Sequence, residues 1–361
     1  MLSYENKRKQ IADKFEELKE HYAIECHQKI YGVDEITDRY TIHARKERKK
    51  MLVLSTGLHG IEGFIGSDLV YLFLDELISC VDTEHTEIRI YHCLNPRAMK
   101  NNRRVNRNNV DLNRTFGVGN VVSENDDYIK HYEFFKPYDI SDYGLANLKF
   151  YAKLIRFIIG AGTSGVRAAS LKGQSEKPEG IYYSGNGVQA ETDYVMKEID
   201  ELMAISLERL IWIDLHSGYG PRYQMTILNS PQDKRPLSFW RQRLDYPLIL
   251  QATAEEFYEI NGDMMDFMYR KYDKKRSASD FYGTCFEFGT YGDRMIDQIR
   301  SLKTMIFENN LAQRKCNAKA EERIRQDFRE LYYPTEIKWQ KKAKEDFKRA
   351  LMGIIGGESN E

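Results

Sequence analysis

The 361-residue chain lacks a charge excess, since 54 lysines and arginines face 55 aspartates and glutamates for a formal net charge of -1. That balance argues against a nucleic-acid or anionic-membrane partner held by bulk charge. Cysteine is scarce: Cys26, Cys80, Cys93, Cys285 and Cys316 are scattered and form no CxxC. Neither a disulfide framework nor a thiolate zinc knuckle is supported, and reduced thiols of a cytoplasm fit best. No apolar run approaches the roughly 18 to 20 residues of a membrane helix, and the opening MLSYENKRKQIADKFEELKEHY reads as a charged amphipathic helix without the apolar centre of a signal peptide. A cytoplasmic protein is the expectation. Internal repeats and low-complexity blocks are missing too. The residues present, 42% apolar and 12% aromatic, suffice for one large α/β domain or two smaller ones and exclude disorder as the main state.

Apolar β-branched runs alternate with helical stretches, an α/β pattern. Met51 to Thr56 reads as a strand entering the turn TGLHGIEG, and Phe64 to Ser79 follows with helical spacing. Glu87 to Leu94, Leu210 to His216 and Thr284 to Phe288 read as three further strands, each ending in loop residues. Polar residues gather where these strands end. In open α/β sheets the ligand crevice lies at the carboxyl ends of strands, so these four loops are candidates for one site. A long insertion, about 120–190, holds a helical pattern over Leu145 to Ile159, a Gly-rich turn at Gly162 to Gly165 and the loop GQSEKPEGIYYSGNG at 173–187. The stretch from 316 is charge-rich and amphipathic, as expected of peripheral packed helices. One catalytic domain over 1–315 with a helical extension over 316–361 is the expected organisation.

Within these loops, His59 and Glu62 form His-x-x-Glu directly after a strand. Two such ligands from one turn can reach one divalent ion, although the spacing is common by chance. His216 in IDLHSGYG supplies a third candidate, and Asp214, two residues back on the same strand face, could orient it. Taken alone, His216 suits a satisfied core histidine equally well. Two histidines, one carboxylate and room for water make up a catalytic zinc set. Glu287 is a carboxylate inside the apolar run TCFEFGTYG, and so requires either a structural ion-pair partner or a task such as general base. The segment NPRAMKNNRRVNRNNVDLNRTFG gathers Arg97, Arg103, Arg104, Arg107 and Arg114 among asparagines. It lacks the interleaved aromatics of a nucleic-acid surface. A solvated loop and a clamp for a carboxylate or oxyanion both remain open.

Taken in order, HGIEG, the NP and RR pairs, VDLNRTF, DLHSG and EFGTYG resemble the zinc carboxypeptidase superfamily, most closely a bacterial branch related to succinylglutamate desuccinylase and aspartoacylase. The GQ...PEGIYYSG loop is similar to that branch too. The resemblance spans about residues 50 to 310. It implies a mixed, mostly parallel sheet flanked by helices, with extra helices at both ends. It also implies one Zn²⁺ held by His59, Glu62 and His216, with Glu287 as the general base that activates water. Arg103 or Arg104 would stabilise the oxyanion, the adjacent pair leaving the choice open with Arg103 preferred, while Asn113 and Arg114 would grip a substrate carboxylate. Tyr269, Tyr272 and Tyr282 are all in range for the mobile tyrosine of carboxypeptidases.

The function expected is therefore amide hydrolysis next to a free carboxylate, on a short peptide or an N-acyl amino acid. The competing readings are a non-catalytic binding protein that keeps the fold and an RNA-associated protein using RRVNRNN. Cobalt, nickel or manganese could replace zinc at such ligands. The oligomeric state is not legible.

Overall fold

A computed structural model describes residues 3–117, 124–253, 261–275 and 280–356. Eight strands form one sheet: β1 (Ile24–Gly32), β2 (Glu35–Ile42), β3 (Lys50–Thr56), β4 (Thr86–His92), β5 (Arg209–Ser217), β6 (Met225–Asn229), β7 (Ile249–Gln251) and β8 (Asp280–Phe288). Their spatial order is β1-β2-β4-β3-β5-β8-β6-β7. The centre, β4-β3-β5-β8, is parallel, and antiparallel pairings join β2 to β4 and β6 to β8. This is the mixed, mostly parallel sheet expected. Central strands read as continuous apolar runs because helices cover both faces. One cluster joins Leu52, Leu54, Ile213 and Phe286 to residues of the helices Tyr4–Leu18, Gly63–Leu72, Ala318–Tyr332 and Ile337–Gly356. The other joins Met51, Val53 and Trp212 to the helices Ala190–Leu202 and Met264–Lys275.

The N-terminal helix forms as its sequence indicates. Ser3 caps it by accepting from the Asn6 amide, and Tyr4, Ile11, Phe15 and Leu18 make the buried stripe. The insertion holds the helix Tyr143–Leu171, broken at Gly162, whose φ of 70° leaves the helical region where the Gly-rich turn is expected. Phe134, Phe150 and Phe157 of the insertion pack with Leu302, Ile306 and Phe307 of the helix Met295–Gln313.

The helices beyond 316 are less peripheral than expected. Phe328, Leu331, Tyr332, Trp339, Phe347 and Leu351 belong to the same apolar cluster as the sheet. The Trp339 indole N–H donates to the Gly289 carbonyl at 2.7 Å. Among the described residues no helix is long and apolar enough to cross a membrane.

Candidate metal centre and active site

Three parallel strands deliver the site from their carboxyl ends. The turn after β3 places His59 ahead of a short helical turn, Gly60–Glu62. Gly60 is required there, because a Cβ would lie 2.2 Å from the Met99 amide nitrogen. The turn is fixed from the other side when the Ile61 and Gly60 amides donate to the carbonyls of Arg103 (2.8 Å) and Arg104 (3.2 Å). β5 carries Asp214 and His216 on one face, and its neighbour β8 sets Glu287 in register with His216. The four-loop convergence expected of the sequence is what the sheet builds.

His59, Glu62 and His216 are buried, and one ligand atom from each lies within 4.8 Å of the others. His59 Nδ1 is 3.0 Å from Glu62 Oε1, and His216 Nδ1 is 2.9 Å from Glu62 Oε2. The far nitrogens are each taken by a carboxylate: His59 Nε2 pairs with Asp111 Oδ1 at 3.0 Å and His216 Nε2 with Asp214 Oδ2 at 2.6 Å. Both rings thus turn Nδ1 inward while a carboxylate fixes the tautomer and orientation, the arrangement that tunes metal-binding histidines. Asp214 is itself held by the Ser55 hydroxyl at 2.6 Å, which also accepts from the Trp212 indole.

The donor set fits a divalent ion. His59 Nδ1 is a buried nitrogen with no hydrogen-bond partner among the described residues, and two imidazoles with one carboxylate suit zinc. A second grouping, His216 with Cys285 and Glu287, shares one of these ligands. Burial, then the Glu287 charge, pushes the Cys285 thiol well up.

The two carboxylates at the site are pushed in opposite directions. Burial works against an ionised Glu62, yet the imidazoles of His59 and His216 outweigh it and hold the acid far below its ordinary range. Arg104 Nη1 adds a bond to Glu62 Oε1 at 2.8 Å, and the Ser217 amide one to Oε2 at 3.1 Å. Glu287 has the Tyr219 amide, 3.0 Å from Oε1. Burial, with the Glu62 charge added, pushes its carboxyl up to about 8. His59, His216 and Glu287 wall a cavity of about 100 Å³ together with Arg104, Asn113, Tyr182, Tyr219 and Tyr332.

Comparison with known proteins places the chain. A family model described as "Protein of unknown function (DUF2817)" matches residues 1–346. The chain belongs to this family. No curated protein matches it. Similar solved structures include carboxypeptidase A from Helicoverpa armigera, at 14% identity, covering 92% of this chain and 74% of that one with a TM-score of 0.46. Succinylglutamate desuccinylase from Chromobacterium violaceum is 11% identical over 82% of this chain and 72% of its own, with a TM-score of 0.39. Murein-tripeptide amidase MpaA from Escherichia coli O157 is 16% identical over 81% and 92%, with a TM-score of 0.38.

The remaining residues singled out in the sequence divide. Arg104 lines the cavity, whereas Arg103, the preferred one, points elsewhere: its Nε donates to Glu308 at 2.7 Å and its Nη2 to Asn109 at 3.0 Å. Adjacent residues in an extended loop face opposite ways, and that parity is invisible without the fold. Asn113 reaches the wall, but its amide nitrogen donates to Asp263 (2.8 Å) and its oxygen accepts from the Met264 amide (3.0 Å). Arg114 is buried one residue behind, its guanidinium 5.8 Å from the Tyr182 ring centre. Tyr269, Tyr272 and Tyr282 are not at the cavity. Tyr269 bonds the Gly283 backbone, Tyr272 packs on Phe281 and Tyr282 donates to Asn229. Sequence reasoning missed Asp111, visible in VDLNR two residues before the noted Asn-Arg pair, and also missed Tyr182 and Tyr332, for which no local signal exists.

Proposed function

We propose that the protein is a metal-dependent hydrolase that cleaves an amide bond next to a free carboxylate, with zinc the ion its donors suit best. One observation carries the reading: two carboxylate-backed imidazoles turn Nδ1 toward Glu62 while a second, protonatable carboxylate stands in register on the adjacent strand. A divalent ion held by His59, Glu62 and His216 would supply an acidified water and a polarised carbonyl.

Everything else falls to the chain's own groups. Asp111 and Asp214 keep the imidazoles oriented. Glu287, with Oε1 held by the Tyr219 amide, takes a proton from the attacking water and passes it to the leaving amine, and a pKa raised toward neutrality suits both steps. Arg104, fixed by Glu62 and by Asp111 at 3.3 Å, is the cation at the wall to face negative charge developing on the carbonyl oxygen. The substrate carboxylate is assigned to the Asn113 end, where Arg114 lies behind the wall.

The test is turnover of the zinc-loaded protein on a panel of short peptides and N-acyl amino acids, run beside Glu287→Gln. The variant should keep its metal and lose activity by about 10² to 10⁴. Unchanged turnover in the variant would remove Glu287 as the base.

A further inference from the structure

A second cavity, about 130 Å³, opens beside the first. Its walls are the insertion helix, through Leu154, Ile158 and Val166, and the helix Met295–Gln313, through Met295, Ile299 and Leu302. The two cavities adjoin, with Tyr182, Gly218, Tyr219 and Ser301 lining both. No described side chain that lines the second one carries a charge. Two of its hydroxyls are tied back to their own helices, Ser170 to the Val166 carbonyl (2.6 Å) and Ser301 to the Asp297 carbonyl (3.0 Å). It lies away from Asn113 and Arg104, which line only the first cavity.

Resting on the hydrolase reading above, we infer that this cavity holds the acyl side of the substrate and selects an apolar group there. With the scissile carbonyl beside His59, Glu62 and His216 and the free carboxylate at the Asn113 end, the other substituent of the carbonyl leaves the first cavity past Tyr182 and Tyr219. A void of this size takes a group of about six carbons, the scale on which an apolar protein cavity binds benzene. A succinyl carboxylate would be buried there without a cation among the described lining residues, which is costly. Met295, 58% exposed at the rim, offers an unbranched, adaptable edge over which a longer chain can continue to solvent. The substrates favoured are thus N-acyl amino acids or peptides with an aliphatic or aromatic acyl side, over N-acetyl and N-succinyl ones.

The experiment uses the zinc-loaded full chain and an N-acyl alanine series: acetyl, succinyl, butanoyl, hexanoyl and phenylacetyl. Hydrolysis and, separately, calorimetric binding to the Glu287→Gln protein are measured. Burying a methylene is worth up to about fourfold, so hexanoyl should exceed acetyl by at least about tenfold in kcat/KM and in affinity, and succinyl should be poorest. Val166→Phe, which fills the cavity, should bring the hexanoyl-to-acetyl ratio toward one. Equal or weaker binding of hexanoyl than acetyl, or no hexanoyl binding at millimolar concentration, overturns the inference. Should hydrolysis be absent across the series while hexanoyl binds more tightly, the hydrolase reading fails and the apolar subsite stands. Where Val166→Phe does not fold, the ratios measured on the unsubstituted chain decide alone.

Discussion

Glu62 and Glu287 are two buried carboxylates of one small site, yet their surroundings push them in opposite directions. Glu62 is surrounded by nitrogens: two imidazole Nδ1 atoms at 3.0 and 2.9 Å, a guanidinium and a backbone amide. Glu287 has one backbone amide and a neighbouring negative charge. The first is kept ionised and suits a ligand; the second is kept protonatable near neutral pH and suits an acid or base. Placing two acids in contrasting environments is a general way to divide ligand and proton-transfer roles between identical chemistries.

The contrast can be broken most severely at the ligand half. His216→Ala should leave elemental analysis with almost no zinc per chain and should abolish turnover, because two ligands remain of three. Retention of a full equivalent of zinc would detach His216 from the site. Arg104→Gln comes next: removing a charge-stabilising donor costs about 10² to 10³ in kcat, whereas Arg103→Gln should stay within a few-fold, since its partners are Glu308 and Asn109. Kinetics on the two variants side by side would restore Arg103 if the order were reversed. Smaller again are Asp111→Asn and Asp214→Asn, each expected to weaken zinc affinity by about 10- to 100-fold through loss of ring orientation, as read by competition with a chromophoric chelator.

The smallest effect is in pH. The neutral Glu287 carboxyl of the metal-free protein, raised to about 8 from an ordinary 4.5, adds stability at low pH that is lost as pH climbs between those values. Burial disfavours a charged His216, but Asp214 and then Glu62 outweigh it and raise its pKa. That contribution also is full below an ordinary 6.5 and lost on going alkaline. Glu62 and Asp111, both depressed, titrate on the acid side of this window. Metal-free protein should therefore melt a few degrees lower at about pH 8.5 than at about pH 6. Zinc-loaded protein should run the other way, since its ligands must shed protons to bind. Parallel melting curves with and without chelator would show whether the slopes differ in sign.

Much of the candidate site was legible in the sequence because each of these residues follows or ends an apolar run at a strand end: His59 and Glu62 after MLVLST, His216 within LIWIDLH, Glu287 within TCFEF. Asp214 was legible for the same reason, lying two residues along one strand face. The fold class followed from the same runs. What failed to show were β1 and β2, β6 and β7. β1 is an edge strand with all its residues exposed or half-exposed, so no apolar alternation marks it. β6, five residues buried throughout, is too short for periodicity to tell from any apolar stretch. Tyr182 and Tyr332 reach the cavity only through long-range packing, and the facing of Arg103 against Arg104 depends on a loop conformation that composition does not encode.

The wall of the site is stitched from far-apart stretches: Glu62 meets His216, and the Ser217 hydroxyl donates to the Tyr332 carbonyl at 2.7 Å. No contiguous fragment of the chain contains its own binding pocket. Closing loops of more than a hundred residues must precede these contacts, so the pocket belongs to the slow, topologically demanding part of folding. An ion that needs both His59 and His216 would then act as a clasp between distant stretches, and its uptake during refolding would serve as a clock for completion of the whole molecule rather than of any local motif.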